Sequence, residues 1–253
     1  MSPPPPVEVV NEEGTSPLVL LCEHASNFIP PEYDRLGVEE GALQRHIAWD
    51  PGAAAMARDL SRRLDASLFL TGYSRLLIDC NRPPGSETSI PTVSEDTTIP
   101  GNLDLPPQER ERREAAYFRP FRDAVLAHLA GRARHGRPTV VIGVHSFTPI
   151  YLGIRRPWHA GILYAAASDL AATLLEGLRD DTALVVGDNE PYRVEEGYDH
   201  TVPVFGDGRG LPAVLLEVRQ DLIAGDQGAA AWAARFEPIL RRAAELHAVA
   251  ERN

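Results

Sequence analysis

Short apolar runs alternate with stretches of helical periodicity along most of this chain, and four of the runs end abruptly in polar residues. Pro17-Leu-Val-Leu-Leu21 leads into Cys22-Glu-His-Ala-Ser-Asn27, and Leu76-Leu-Ile78 into Asp79-Cys-Asn-Arg82. Val140-Val-Ile-Gly-Val144 leads into His145-Ser146, and Ala213-Val-Leu-Leu216 into Glu217-Val-Arg219. Runs of this length read as strands buried on both faces, as in a parallel sheet covered by helices. The pattern predicts strands at 17–22, 67–70, 76–78, 138–145, 161–165, 183–187 and 212–218. Between them, Ala53, Met56, Ala57, Leu60 and Leu64 keep helical spacing after Asp50-Pro51, where Asp50 is a good N-cap. A long charged helix is expected from Leu105 to about Ala133, with Phe118, Phe121, Val125 and Leu129 on one face, a solvated face at Glu109–Glu114 and a kink at Pro120. Further helices are expected at 168–179 and 229–251. The fold class is therefore α/β.

The rest of the chain is punctuation. The first 16 residues, rich in Pro, Glu and Gly, read as a flexible N-terminal arm before a single domain over 17–253. From Arg82 to Asn102 the prolines at 83, 84, 91 and 100 and the glycines at 85 and 101 exclude regular structure. Such a long loop in a compact domain is a natural wall or lid for a site.

Composition narrows the partners. The 253 residues, 43% hydrophobic and 24% charged, suit one substantial core. A net charge of -11 argues against a nucleic-acid surface and requires any anionic substrate to be held by local arginines. No apolar stretch approaches the roughly 20 residues needed to span a bilayer, and the start Met-Ser-Pro-Pro-Pro-Pro lacks the features of a signal peptide, so a cytoplasmic location is expected. Cys22 and Cys80, the only cysteines, are expected to be buried free thiols.

Open α/β sheets bind ligands at the carboxyl ends of their strands, so the polar residues ending the four runs are candidates for one pocket. His24 and His145 end two of the runs, and Asp50 lies a short way after the first. Two neutral imidazoles and one carboxylate leave a fourth zinc position open, as catalytic zinc requires. Each also has a plainer reading, a hydrogen-bonded histidine or a helix cap. Glu217 ends a very apolar run, where a carboxylate is costly unless paired or functional; it suits a general base, or an ion pair with Arg219. Asn81-Arg82 could hold a substrate carboxylate through charge-assisted hydrogen bonds. His46 and His200 are further candidates, whereas His128, His135, His159 and His247 read as structural or exposed.

Six ordered segments resemble the N-formylglutamate amidohydrolase family. They are Cys22–Asn27, His46–Ala53, Ser74–Pro83, His145–Pro149, Gly187–Tyr192 and Gly210-Leu-Pro, the last followed by Leu216–Leu222. The resemblance implies a three-layer α/β/α fold with a mixed, mostly parallel sheet, phosphorylase/hydrolase-like and similar to zinc exopeptidases. It implies Zn2+ held by His24, Asp50 and His145, with Glu23 a rival for the carboxylate position, and Glu217 as base. Asn81 and Arg82 would grip a substrate carboxylate, and Ser26, Asn27, His46 and Arg219 complete the expected substrate-binding set. The expected reaction is hydrolysis of the amide of a small N-acyl amino acid such as N-formylglutamate. Two alternatives share these residues: an amidase acting on peptidoglycan fragments, which the lack of an export signal disfavours, and a silent small-molecule binding protein, which would not need His24, His145 and Glu217 together.

Overall fold

A computed structural model of the protein describes residues 3–250, so expectations for residues 1–2 and 251–253 lie outside the described part. Among the described residues eleven strands occur in chain order: β1 Val7–Val10, β2 Leu18–Cys22, β3 Ser67–Thr71, β4 Val93–Ser94, β5 Thr97–Thr98, β6 Val140–Phe147, β7 Ile150–Tyr151, β8 Ile154–Arg155, β9 Ala160–Leu163, β10 Val186–Asp188 and β11 Ala213–Arg219. Two pairs, β4–β5 and β7–β8, are short separate hairpins. The other seven strands form one sheet in the order β1-β3-β2-β6-β11-β9-β10. It is mixed and mostly parallel: only β1 against β3 and β9 against β11 are antiparallel.

Side-chain alternation in the central strands builds two cores, because successive residues of a strand point to opposite faces. Leu18, Leu20, Val140, Ile142, Val214 and Leu216 face a layer made by α1 Ala53–Leu64, α4 Ser168–Arg179 and α5 Gly225–Ala250. Val19, Leu21, Val141, Ala213 and Leu215 face the other way, onto Phe118, Phe121, Val125 and Leu129. The last three belong to α3 Arg119–Arg134. The expected three-layer α/β/α arrangement follows.

Three local expectations are corrected. Val7–Val10 is not frayed but pairs with β3 as an edge strand, Val7 opposite Thr71 and Val10 opposite Leu68. Leu76, Leu77 and Ile78 are buried as expected, but in turns rather than a strand. Their carbonyls are served by side chains instead of a neighbouring strand: Asn102 Nδ2 donates to Leu76 O at 2.8 Å and Arg113 Nη1 to Leu77 O at 3.2 Å. Arg113, expected on a solvated helix face, is therefore only 2% exposed, and also pairs with Glu109 at 2.9 Å. The charged helix does break near Pro120: α2 Pro107–Arg113 passes through a wider π turn at Glu114–Phe118 before α3. A proline at position 120 cannot donate the helical hydrogen bond to residue 116, which favours such a local rearrangement.

Glycine at 161 lets a loop lie close on the sheet face. Gly161 on β9 pairs with Gly187 on β10 and stands opposite Glu217 on β11. A Cβ at either glycine would collide with the Glu190 carbonyl oxygen, at 2.5 Å for Gly187 and closer for Gly161. The chain at Glu190-Pro191 can therefore lie directly on the face of β9 and β10. Gly161→Ala should lower stability by about 1–3 kcal/mol, the usual cost of overpacking, seen as a drop in melting temperature. Gly41→Ala, where an added Cβ meets nothing within 4 Å, should change it by less than about 0.5 kcal/mol. Equal effects at the two positions would contradict this account of the Glu190-Pro191 contact.

Candidate active site

The register of β6 and β11 sets two site residues side by side, His145 directly opposite Glu217. Both lie at the carboxyl ends of their strands and are nearly fully buried, His145 at 2% and Glu217 at 6% exposure. His24 follows the end of β2, the neighbour of β6 on its other side. Asp50 is brought to the same point by its backbone: its N–H donates to His24 O at 2.9 Å and its C=O accepts from Ala53 N at 3.1 Å. The expected N-cap role does not hold, because Gly52, at φ 84°, occupies the cap position of α1 and no side chain caps the helix. Its left-handed backbone suits glycine, and a Cβ there would strike Ile223. Asp50 is thus free to point into the protein.

There its Oδ2 lies 2.9 Å from His145 Nδ1 and 3.4 Å from His24 Nδ1, and accepts from Ser146 N at 3.1 Å. Ligand atoms of His24, Asp50 and His145 all fall within 4.8 Å of one another. The far nitrogen of each ring faces its own carboxylate, His24 Nε2 at 2.8 Å from Asp79 Oδ1 and His145 Nε2 at 3.1 Å from Glu23 Oε2. Glu23 is itself held by the Thr201 hydroxyl. It is buried on the Nε2 side of His145, whereas Asp50 meets the Nδ1 side. Arg75 completes the cluster, 2.7 Å from Asp79 and 3.7 Å from Asp50.

The charges are mutually sustained. Burial alone would raise the carboxyl pKa of Asp50, Asp79 and Glu23, yet all three lie below the ordinary range because of the partners beside them. For Asp79 those are Arg75 and His24, for Asp50 the two histidines, and for Glu23 His145, the Thr201 hydroxyl and His24. Burial likewise opposes a charged His145, but Asp50 and Glu23 outweigh it and hold its pKa well above the usual value. Glu217 differs. Burial pushes its carboxyl up to about 7, and its Oε2 has no hydrogen-bond partner.

These groups open onto a cavity of about 530 Å3, whose wall includes His24, Asp50, His145, Glu217, Asn81 and Arg82. Asn81 is fixed by the backbone N–H of Thr201, which donates to its Oδ1 at 2.9 Å. Arg82 donates to Asp199 at 2.8 Å and lies 4.3 Å from the centre of the Tyr198 ring. His46 also lines the cavity, 3.4 Å from Glu95 Oε1, and burial lowers its pKa. Ser94, from the loop expected as a wall or lid, contributes to the lining.

Three expected substrate-binding residues do not line the cavity, because their polar groups are used elsewhere. The Ser26 hydroxyl accepts from Phe28 N at 3.1 Å, and Asn27 Nδ2 donates to Leu43 O at 2.8 Å. Arg219 shares the strand face of Glu217 but turns to Asp221 at 2.8 Å and the Trp158 carbonyl at 3.3 Å. That contact also removes Arg219 as an ion-pair partner for Glu217. His200 is a core residue, its ring 5.1 Å from Phe118 and 5.3 Å from Phe205, with a pKa lowered by burial to about 4. Cys22 and Cys80 are free, buried and on opposite sheet faces, and burial raises both thiols well above their usual pKa. Four contributors escaped the sequence reading: Asp79, Arg75, Asp199 and Tyr192. Only Asp79, at the polar end of an apolar run, carried a local signal.

The N-formylglutamate amidohydrolase family model matches residues 16–224. The chain belongs to this family. Its structure is similar to that of the gene product Atu2144 of Agrobacterium tumefaciens, with 42% identity, 95% of each chain covered and a TM-score of 0.91. The fold is shared with the N-formylglutamate amidohydrolase of Ralstonia eutropha JMP134, at 20% identity, a TM-score of 0.65, and 96% of this chain and 98% of that one covered. No curated protein sequence is significantly similar to the chain. No helix among the described residues is long and apolar enough to cross a membrane.

A carboxylate behind each histidine fixes ring orientation for whatever the two Nδ1 atoms bind. A divalent metal held there should therefore be bound about 10–100-fold more weakly by Asp79→Asn and by Glu23→Gln, in competition with a chelating dye. Unchanged affinity in both variants would leave the two carboxylates with a purely structural role.

Proposed function

We propose that the protein is a zinc-dependent amidohydrolase that cleaves the amide of a small N-acyl amino acid such as N-formylglutamate, releasing formate or another acid and the free amino acid. The observation that carries this reading is the convergence of His24 Nδ1, His145 Nδ1 and the Asp50 carboxylate beside a buried, unpartnered Glu217 at one cavity. Two imidazoles and a carboxylate are borderline donors suited to zinc, and three protein ligands leave room for water or substrate. His24, Asp50 and His145 would hold the metal, which supplies Lewis acidity toward the substrate carbonyl and toward water.

The chain's own residues do the rest. Glu217 Oε2, with no protein donor to satisfy it, accepts a proton from the attacking water and delivers it to the nitrogen that leaves. Its raised pKa fits both halves of that task, since a group near 7 gains and loses a proton readily at neutral pH. The Arg75 guanidinium, in the cavity wall and held by Asp79, is a donor for the developing oxyanion. Asn81 and Arg82 orient a substrate carboxylate: the Asn81 amide is locked by its oxygen, and the Arg82 contacts use only Nη1. A fixed anchor of this kind converts binding into orientation.

Glu217→Gln should reduce kcat by roughly 10²–10⁴-fold while the zinc content stays unchanged. Turnover at the wild-type rate would remove Glu217 as the base. Because Glu217 works in its ionised form, kcat/KM should fall as the pH drops through its pKa, placing an acid limb at or below about 7 since a nearby bound cation draws that value down. A rate that rises on acidification through this range would contradict the assignment.

A further inference from the structure

A second cavity, of about 360 Å3, lies between the β1 edge of the sheet and α3, and none of its lining residues borders the cavity that holds Glu217. Arg132, in its wall, is 2% exposed. Its Nε donates to the Thr139 hydroxyl at 2.9 Å, and its Nη2 to the carbonyls of Ser16 and Pro138 at 2.9 and 2.7 Å. Nη1 has no partner, and among the described residues no carboxylate lies within ion-pair distance of the guanidinium. Burial, and then the neighbouring Arg137, lower its pKa to about 10. A buried charge of this kind is costly unless it is paired.

The helix leaves room beside that charge. Ala124, Ala127, His128, Gly131 and Arg132 recur at helical spacing and turn one stripe of α3 to the cavity, three of the five being alanine or glycine. A Cβ at Gly131 would meet nothing nearer than Arg134 Nη2, at 3.7 Å. Val9 and Phe69, paired across the β1–β3 ladder, add apolar surface from the sheet. Glu12 and Glu13, on the turn after β1, bring two exposed carboxylates to the same cavity. Neither is ion-paired among the described residues. His128 stands among these charges: burial, Arg132 and Arg137 lower its pKa against the pull of Glu12 and Glu13, and its buried Nε2 has no partner.

Charges of both signs therefore share one cavity without pairing with each other. A simple anion would satisfy Arg132 but face the glutamates, and a simple cation would leave Arg132 unmet. A zwitterion answers both, its carboxylate taking the Nη1 hydrogens and its ammonium lying toward the glutamates. The alanines, Val9 and Phe69 leave an apolar remainder, and the volume is at the small end of ligand pockets. We propose that this cavity binds a free α-amino acid with an aliphatic side chain, its carboxylate on Arg132 and its ammonium toward Glu12 and Glu13. The inference does not rest on the amidohydrolase reading.

Titration calorimetry of the full chain, loaded with zinc, tests it with L-leucine as the probe. Saturable binding with a Kd at or below about 1 mM is expected. 3-Methylbutylamine, which lacks the carboxylate, should bind at least about tenfold more weakly, the size of a hydrogen bond to a buried charge. 4-Methylpentanoate, which lacks the ammonium, should bind about three- to fivefold more weakly, as exposed carboxylates allow. Gly131→Leu should fill the cavity and weaken leucine binding at least about tenfold, while melting no lower than the wild type because leucine is the better helix former. Glu12→Gln combined with Glu13→Gln, at exposed positions that spare the fold, should weaken leucine about three- to fivefold without weakening 4-methylpentanoate. No saturable binding of leucine up to about 10 mM, or equal binding of either truncated probe, would overturn the proposal. So would leucine binding that is untouched by Gly131→Leu or by the double glutamate variant, since the leucine would then sit elsewhere.

Discussion

The site depends on one buried carboxylate. Asp50 Oδ2 is approached by His24, by His145 and by the Ser146 backbone N–H, groups from three separate stretches of chain. A carboxylate and two imidazoles could not be taken out of water together unless each had a partner for its remaining polar atoms. Asp79 and Glu23 supply those partners, and Arg75 balances Asp79 in turn. Glu217, aligned with His145 across the β6–β11 ladder, makes no ion pair of this kind and is left with an unmet oxygen. Stability would favour an apolar side chain there, and the unmet carboxylate is what supports the proposed role of Glu217 as base.

The architecture explains why these groups meet. The parallel strands β2, β6 and β11 end at the same edge of the sheet, and the residues that follow them share one opening. The glycines at 161 and 187 then admit Glu190 close against the face of β9 and β10, and Tyr192, two residues on, lines the cavity. Hydrophobic layers on both sheet faces fix the strand positions, so the spacing of His24, His145 and Glu217 is inherited from the sheet.

Much of this was legible in the chain because buried parallel strands leave a plain signature and polar residues at their ends stand out against it. His24, His145 and Glu217 were visible for that reason. Asp50 was visible only as a residue with two readings, since a helix start after Asp-Pro reads equally well as a cap; in the structure the left-handed Gly52 takes the cap position. Leu76–Ile78 misled because apolar burial does not reveal which groups satisfy the backbone, and here Asn102 and Arg113 do so from far along the chain. Arg219 misled for a related reason: two residues along a strand is the same face, but Asp221 two residues further on captures the guanidinium. Val7–Val10 was hidden by flanking prolines and acidic residues, which suit an edge strand as well as a loose arm. Long-range partners such as Asp199 for Arg82 carry no local signal at all.

The central claim is that His24, Asp50 and His145 form a metal site. Elemental mass spectrometry of the purified protein and of His145→Ala, prepared identically, tests it most directly. About one zinc per chain in the wild type and little in the variant is the predicted result. A wild type that holds no metal even after incubation with zinc would contradict the account.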